Sequence, residues 1–90
     1  MISAKKAKEK IIKSISKRNY IKDAEKAVKR AIESCKFTCD IEISEYNDID
    51  ISVFDTAVLI LKYFGYYGYD GYIKESNEHK ASICIKWGES

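Results

Sequence analysis

The stretch FTCDIEISEYNDIDISVFDTAVLILKYFG, residues 37–65, decides the fold because its apolar side chains change period part-way along. Over residues 37–44 apolar and polar side chains alternate, which is typical of a strand with one wet face. The predicted inward positions of this strand are Phe37, Cys39, Ile41 and Ile43. Ser52 and Asp55 form an S-x-x-D capping box, which predicts a helix beginning at Val53. The predicted buried stripe of this helix is Phe54, Ala57, Val58, Leu61 and Phe64.

The end of this helix and the strand after it are predicted from the glycines. Gly65 lies where a left-handed residue ends a helix, with Tyr66 folding back on Leu61 in a Schellman arrangement. A tyrosine-rich second strand is then predicted over residues 66–76. Within that strand Gly68 and Gly71 indicate a bulge or a close backbone approach.

A third strand closes the chain. Residues 76–79, Ser-Asn-Glu-His, supply a turn between two apolar runs. The alternating apolar positions after the turn are Ala81, Ile83, Ile85 and Trp87. This pattern predicts a hairpin formed by the second and third strands.

Two amphipathic series precede the first strand. The first is capped by Ser3 and has the apolar positions Ala4, Ala7, Ile11 and Ile15. The second comprises Tyr20, Ala24, Ala27, Val28, Ala31, Ile32 and Cys35. Because the two series are out of phase, we predict two helices with a break near Asn19. One long kinked helix over residues 4–35 is the alternative, since neither Gly nor Pro marks the junction.

The element order predicts a single α+β domain over residues 1–90. After the N-terminal helices come strand, helix, strand and strand. If the third strand is central, every neighbouring pair is antiparallel and the strand order is 1-3-2, which is the layout we predict. We predict helices on one face of this three-stranded sheet and solvent on the other.

Composition limits the class of protein. With 46% hydrophobic and 33% charged residues, the chain is too apolar for a disordered protein and too charged for a membrane span. The lysines from Lys5 onward are not followed by an apolar segment of a secretory signal. Three cysteines are an odd number for a disulfide framework, so reduced thiols are expected. These features predict a cytoplasmic protein without membrane partners.

Charge is distributed unevenly, and the basic half suggests one function. Residues 1–36 carry twelve Lys or Arg against four acids, whereas residues 37–61 carry six acids and no Lys or Arg. Cationic helices can bind nucleic-acid phosphates, although lysine-coated faces are also the ordinary means of solvating a helix. The candidate nucleic-acid contacts are Lys10, Lys13, Lys17, Arg18, Lys22, Lys26 and Lys29.

A tyrosine cluster and an acidic run suggest protein binding instead. Tyrosine offers a large contact area with few rotatable bonds, which suits recognition surfaces, although core filling could also explain the cluster. The acidic run solvates a loop, mimics nucleic-acid phosphates or meets a basic partner. The candidate partner-binding residues are Tyr66, Tyr67, Tyr69, Tyr72, Glu45, Asp48 and Asp50.

Catalytic and cofactor motifs do not emerge from the sequence. Phosphate cradles need a glycine loop that leads into a helix, whereas the glycines here follow one. His79, the single histidine, lies in the predicted turn. Cys39 and Cys84 are predicted on opposite faces of the sheet, which disfavours a zinc site. We therefore expect a non-enzymatic protein without metal or cofactor.

Short motifs along the whole chain resemble small accessory proteins of phages and prophages from low-GC Gram-positive bacteria. They are A-K-x-A-K at residues 4–8, A-I-E-x-x at 31–35, L-K-Y-F-G-Y at 61–66 and I-x-I-K-W at 83–87. Cys35 stands where the resembled proteins usually have a helix-ending glycine, and Lys86 where they have serine. The resemblance implies a phage context and carries no site residue.

Phage proteins of this kind commonly occupy surfaces of host proteins, including defence nucleases, as anti-CRISPR proteins do. The resemblance thus implies a stoichiometric inhibitor that acts on a host or defence protein in the host cytoplasm. Two alternatives stay open. One is a nucleic-acid-binding protein that uses the lysine-rich helices. The other is a self-assembling structural protein, in which an exposed sheet face or edge forms a homodimer.

Overall fold

The computed structural model describes residues 1–44 and 51–88. Its elements are α1 (Ala4–Ile15), α2 (Asn19–Glu33), β1 (Thr38–Ser44), α3 (Val53–Tyr66), β2 (Asp70–Ser76) and β3 (Lys80–Lys86). The strands form one antiparallel sheet in the order β1-β3-β2. The α+β class, the element order and the strand order predicted from the sequence are therefore confirmed.

The two N-terminal helices are separate. α1 ends at Ile15 and α2 begins at Asn19, so the break predicted near Asn19 is confirmed and a single helix over residues 4–35 is wrong. The backbone N–H groups of Ser16 and Arg18 donate to the carbonyls of Ile12 and Ile15, which closes the last turn of α1 without glycine or proline. The out-of-phase apolar series is enough to separate the helices, because each must turn its own stripe to the core.

The buried face of α1 differs from the prediction. Ile12 and Ile15 are buried, whereas Ile11 is 56% exposed and Ala4 is also exposed. α1 packs against α3 through its second half, and this contact selects Ile12 rather than its neighbour. Adjacent isoleucines lie about a quarter-turn apart on a helix, so periodicity alone did not distinguish them.

The buried face of α3 was also assigned incorrectly in part. Phe54 is exposed, and Val58 and Leu61 are half-buried, while Ala57 and Phe64 are buried as predicted. The other buried residues of this helix are Val53, Thr56, Ile60 and Tyr63. Helix α3 contacts α1, α2 and all three strands, so it buries a wider arc than one amphipathic stripe. Its start was predicted correctly, because the Ser52 hydroxyl accepts from the N–H of Asp55 at 3.1 Å.

A Schellman motif ends α3 three residues later than predicted. Gly65 is helical, and Gly68 has the left-handed conformation, with φ of 92°. The N–H of Tyr69 donates to the carbonyl of Phe64 at 3.0 Å, and that of Gly68 to the carbonyl of Gly65 at 3.1 Å. It is thus Tyr69 that folds back on Phe64, and the predicted contact of Tyr66 with Leu61 does not form the cap.

As a consequence, β2 begins at Asp70 rather than at residue 66. The close approach predicted at Gly71 is confirmed, since a Cβ there would lie 2.9 Å from the carbonyl oxygen of Cys84. The bulge lies elsewhere. Pairing of β2 with β3 shifts between Ile73 and Glu75, which leaves Lys74 as the extra residue.

A second Schellman motif ends α2 and explains why Cys35 is not in the core. Cys35 has φ of 60°, its N–H donates to Ile32, and the N–H of Lys36 donates to Ala31. Cys35 and Ile32 are exposed, which corrects their assignment to the buried series. Phe37 is exposed too, because β1 begins one residue later.

The core lies between the sheet and the three helices. Its largest fully buried side chains are Ile21, Ile43, Thr56, Ile60, Ile83 and Ile85. The Thr56 hydroxyl donates to the carbonyl of Ser52 at 2.9 Å, so its burial leaves no polar atom unpaired. Ala81, Ile83 and Ile85 of β3 are buried as predicted, but Cys84, which lies on the sheet face predicted to meet solvent, is buried too.

Candidate functional site

Six aromatic rings form a continuous series of edge-to-face contacts where α3 turns into β2. We call this series the aromatic string, and its members in order of contact are Tyr66, Tyr67, Tyr63, Phe64, Tyr69 and Trp87. Neighbouring ring centroids are 5.1 to 5.9 Å apart. Such contacts each add about 0.5–1.5 kcal/mol beyond the buried area, so the string holds its exposed members in place.

Local sequence positions the string. Tyr63 and Tyr67 are one helical turn apart, and therefore lie on the same side of the end of α3. The Schellman motif at Gly68 then carries Tyr69 onto Phe64. The inner rings of Tyr63 and Phe64 are buried, whereas Tyr66 and Tyr67 are 43% and 57% exposed. The result is a pair of accessible tyrosines supported by buried rings.

A groove of about 510 Å³ lies between α2 and this part of the fold, and we call it the basic groove. Its lining residues are Lys22, Glu25, Lys26, Val28, Lys29, Ile32, Phe64 and Tyr69. The three lysines follow one another at intervals of four and three residues, so they form a row along one side of α2. The groove thus combines apolar and aromatic walls with a cationic rim.

A hydrogen bond links the basic groove to the aromatic string. The Tyr63 hydroxyl donates to Oε1 of Glu25 at 2.6 Å, between residues 38 positions apart in the chain. Burial raises the pKa of Tyr63 well above its ordinary value, and the bond to the Glu25 carboxylate raises it further. Tyr63 therefore stays protonated at neutral pH and donates this hydrogen bond, which joins α3 to α2.

The structure brings three of the four candidate tyrosines together. Tyr66, Tyr67 and Tyr69 belong to the aromatic string. Tyr72 lies apart, on the sheet face away from the helices, where it is 49% exposed and the ammonium of Lys86 lies 5.8 Å from its ring centroid. The four candidate tyrosines therefore do not all lie on one surface. The acidic candidates Glu45, Asp48 and Asp50 lie outside the described residues.

The basic candidates also separate into groups. Lys22, Lys26 and Lys29 share the basic groove. The remaining candidates belong to α1 and to the connection that follows it; they are Lys10, Lys13, Lys17 and Arg18. These residues are not among those that line the groove.

Four contributors are not among the candidate binding residues, although Tyr63 and Phe64 belong to the tyrosine cluster seen in the sequence. Tyr63, Phe64 and Trp87 complete the aromatic string, and Glu25 anchors it to α2. The one-turn spacing of Tyr63 and Tyr67 was the sequence signal that placed Tyr63 beside Tyr67. No local signal pairs Glu25 with Tyr63, because their contact depends on how α2 packs against α3.

The thiols and other metal-ligating side chains offer no second site in residues 1–44 and 51–88. No group of three or more His, Cys, Asp or Glu in these ranges is arranged to hold a metal ion. Burial raises the pKa of the Cys39 thiol, and the neighbouring Asp40 carboxylate raises it further. Cys39 is thus held as the weakly nucleophilic thiol.

Within the same two ranges, every helix is too short or too polar to cross a membrane. Comparison with known protein families, with curated proteins and with solved structures gives no match to this chain. The aromatic string and the basic groove are therefore the features from which a function can be inferred.

Proposed function

We propose that this chain is a non-enzymatic module that binds a partner protein through Tyr66, Tyr67 and the adjoining basic groove. The observation that carries the proposal is the exposure of two tyrosines at the end of a string of packed rings. A side chain that is already held in position loses little entropy on binding, and tyrosine is among the residues that dominate binding energy.

The groove indicates the chemistry of the partner. Its apolar wall, formed in part by Val28, Ile32 and Phe64, suits one buried apolar side chain. Three lysines against one glutamate on the rim favour an acidic surface around that side chain. The resemblance to phage accessory proteins adds the expectation that the partner is a host or defence protein, which the chain inhibits stoichiometrically.

Paired substitutions test this proposal. The partner is captured from a bacterial lysate with the unaltered protein, identified by mass spectrometry and purified for affinity measurements. We expect Tyr66→Ala combined with Tyr67→Ala to weaken its binding by about tenfold or more, as for hot-spot tyrosines. Tyr72→Ala is the matched control, because Tyr72 is similarly exposed but lies on the other surface.

The tyrosine variants must also be shown to fold. Tyr67 makes two ring contacts, so their loss should cost about 1–3 kcal/mol and lower the melting temperature by about 4–24 °C; affinity is therefore measured at a temperature at which the double variant is fully folded. Equal affinity of the double variant and the unaltered protein would refute the proposal. The proposal would also be refuted if Tyr72→Ala by itself abolished binding.

Nucleic-acid binding is a second candidate, favoured by the row of Lys22, Lys26 and Lys29 beside aromatic rings. Fluorescence anisotropy with single-stranded and duplex DNA and RNA, at about 50 and 200 mM salt, measures it. If the row contacts phosphates, replacing all three lysines with glutamine should make the slope of log K against log salt concentration less steep by about two to three.

The control for the lysine row removes the same charge from α1 and from the connection that follows it. Lys10→Gln, Lys13→Gln and Lys17→Gln together should leave nucleic-acid affinity nearly unchanged if the groove is the site. An equal effect of both triple variants would indicate non-specific attraction, and absence of binding at the lower salt concentration would remove this candidate.

A further inference from the structure

β1 forms one edge of the sheet and is regular along its whole length. Its seven residues pair one to one with β3, from Thr38 opposite Lys86 to Ser44 opposite Lys80, without a register shift. In the described part of the chain the other side of β1 has no strand neighbour. Alternate residues of such an edge direct their N–H and C=O groups outward, where they can pair with another strand.

The opposite edge of the sheet is protected. β2 carries a bulge at Lys74, between the pairs made by Ile73 and Glu75. Bulges and edge lysines are two means by which proteins prevent the addition of a strand. The two edges of this sheet are thus unlike, and β1 is the one suited to strand addition.

Space for an added strand is present beside β1. Two adjoining grooves, of about 420 and 340 Å³, run between α2 and β1 and share Ala27 and Asp40. Between them they are lined by every residue of β1, from Thr38 to Ser44. On the α2 side the small residues Ala24, Ala27 and Ala31 line them. Neither groove shares a lining residue with the basic groove.

Charge specifies the occupant. The groove towards Ser44 is lined by Asp23, Asp40 and Glu42 and by no lysine or arginine. The groove towards Thr38 is lined by Arg30 and Lys36 as well as Asp40, so the part of the edge that favours a cationic occupant is the part from Asp40 to Ser44. Asp40 and Glu42 belong to the sheet face away from the helices, where cross-strand neighbours determine pairing energy. A strand with Lys or Arg at alternate positions would set cations beside these carboxylates. Lys74 already makes such a contact across the sheet, with its Nζ 3.1 Å from Oδ2 of Asp40.

A second copy of the chain is a poor occupant. Antiparallel pairing of two β1 strands centred on Ile41 places Asp40 of each copy opposite Glu42 of the other. Centring on Asp40 or on Glu42 places that carboxylate opposite itself. Like charges directly opposite destabilise strand pairing, so the edge disfavours its own copy and favours a cationic strand.

We propose that the free edge of β1 accepts an extended, lysine- or arginine-bearing segment of a partner protein as a fourth strand of the sheet. Backbone hydrogen bonds along β1 supply affinity, and Asp40 and Glu42 supply selectivity for cationic residues. This site is separate from the aromatic string, so it stands or fails independently of the proposed function above.

The test is a heteronuclear NMR titration with the seven-residue peptide Lys-Val-Lys-Val-Lys-Val-Lys, matched in length to β1. Peptide is added to about 5 mM, which detects millimolar affinity. We expect the amide signals of β1 and of the facing side of α2 to shift. The Glu-Val analogue of the peptide should bind about tenfold more weakly. A version N-methylated at alternate residues should not bind, because it cannot complete the ladder.

Charge reversal supplies the decisive variant. Asp40→Lys with Glu42→Lys should invert the preference, so that the Glu-Val peptide binds better than the Lys-Val peptide. The matched control reverses two exposed acids away from the edge, Glu9→Lys with Glu78→Lys, and should keep the original preference. Both pairs are exposed, so both variants are expected to fold.

Four results would overturn the proposal. They are absence of shifts in β1, equal binding of the N-methylated peptide, an unchanged preference after reversal of Asp40 and Glu42, and shifts confined to the basic groove. Sedimentation over a range of protein concentrations tests for a fifth such result. A dimer of the unaltered protein that dissociates when the β1 edge is altered would identify a second copy as the occupant.

Discussion

Replacing Gly71 with alanine tests a close approach of β2 to α3 and to the central strand. A Cβ at this position would lie 2.6 Å from Cδ2 of Leu61, 2.9 Å from the carbonyl oxygen of Cys84 and 3.2 Å from Cδ1 of Ile85. Carbon atoms in favourable contact are about 3.5–4.0 Å apart. The added methyl therefore meets α3 on one side and the central strand on the other.

The expected cost follows from which neighbour can move. The Leu61 side chain is half-buried and can rotate away. The carbonyl of Cys84 cannot, because β3 is paired on both sides. β2 must therefore shift outward, and overpacking of this kind costs about 1–3 kcal/mol. At about 4–8 °C for each kcal/mol in a domain of this size, a cost of about 2 kcal/mol lowers the melting temperature by about 8–16 °C.

Urea and thermal unfolding followed by circular dichroism measure the effect. Gly65→Ala is the control, because Gly65 lies in α3 with nothing within 4 Å of its Cβ position. Alanine there is expected to stabilise by about 0.5–1 kcal/mol through helix propensity. The free energy of unfolding of Gly71→Ala is compared with that of the unaltered protein at an equal m-value. A difference of less than about 0.5 kcal/mol would mean that β2 does not pass as close to β3 and α3 as described.

Three further predictions concern a cap, a buried hydroxyl and a helix face. Cys35→Gly should raise the free energy of unfolding by about 0.5–1 kcal/mol, because left-handed backbone is unfavourable for a side chain with a Cβ; Cys35→Ser, which keeps the Cβ, should show no such gain by urea unfolding. Tyr63→Phe removes the hydrogen bond to Glu25. Because the pKa of Tyr63 is raised, this bond stabilises the fold fully below the ordinary tyrosine pKa of about 10 and less at higher pH. The stability difference between Tyr63→Phe and the unaltered protein should thus narrow above that pH, and a constant difference would contradict the raised pKa. Ile12→Ala should cost about 2–4 kcal/mol and Ile11→Ala less than about 0.5 kcal/mol; the reverse order would mean that α1 presents a different face.

Local patterns predicted where most elements begin and how the strands are ordered. Ser52 and Asp55 marked the start of α3, and the phase change near Asn19 marked the break between α1 and α2. The alternation in β3 predicted its inward side chains because a strand that is covered on one face shows a period of two. The order β1-β3-β2 was predicted as the layout in which every neighbouring pair of strands is antiparallel.

Helix faces and helix ends were predicted less well. α3 is apolar around most of its circumference, so its sequence did not show that Phe54 is exposed. Gly65 and Gly68 could each end α3. The cap forms at Gly68, where Tyr69 packs against Phe64. Cys35 ends α2 in a conformation that is uncommon for a residue other than glycine, and therefore carried no recognisable signal.

By itself the sequence determined the α+β class, the succession of elements and the charge of each segment, because these depend on neighbours a few residues apart. Only the tertiary structure decided which tyrosines meet, where the row of lysines lies, and that Asp40 and Glu42 line a groove together with Asp23 of α2. The bond between Tyr63 and Glu25 illustrates the reason, since it joins residues 38 positions apart. Contacts of this kind arise from the packing of α2 and α3 against the sheet, which depends on the whole core and not on any local pattern.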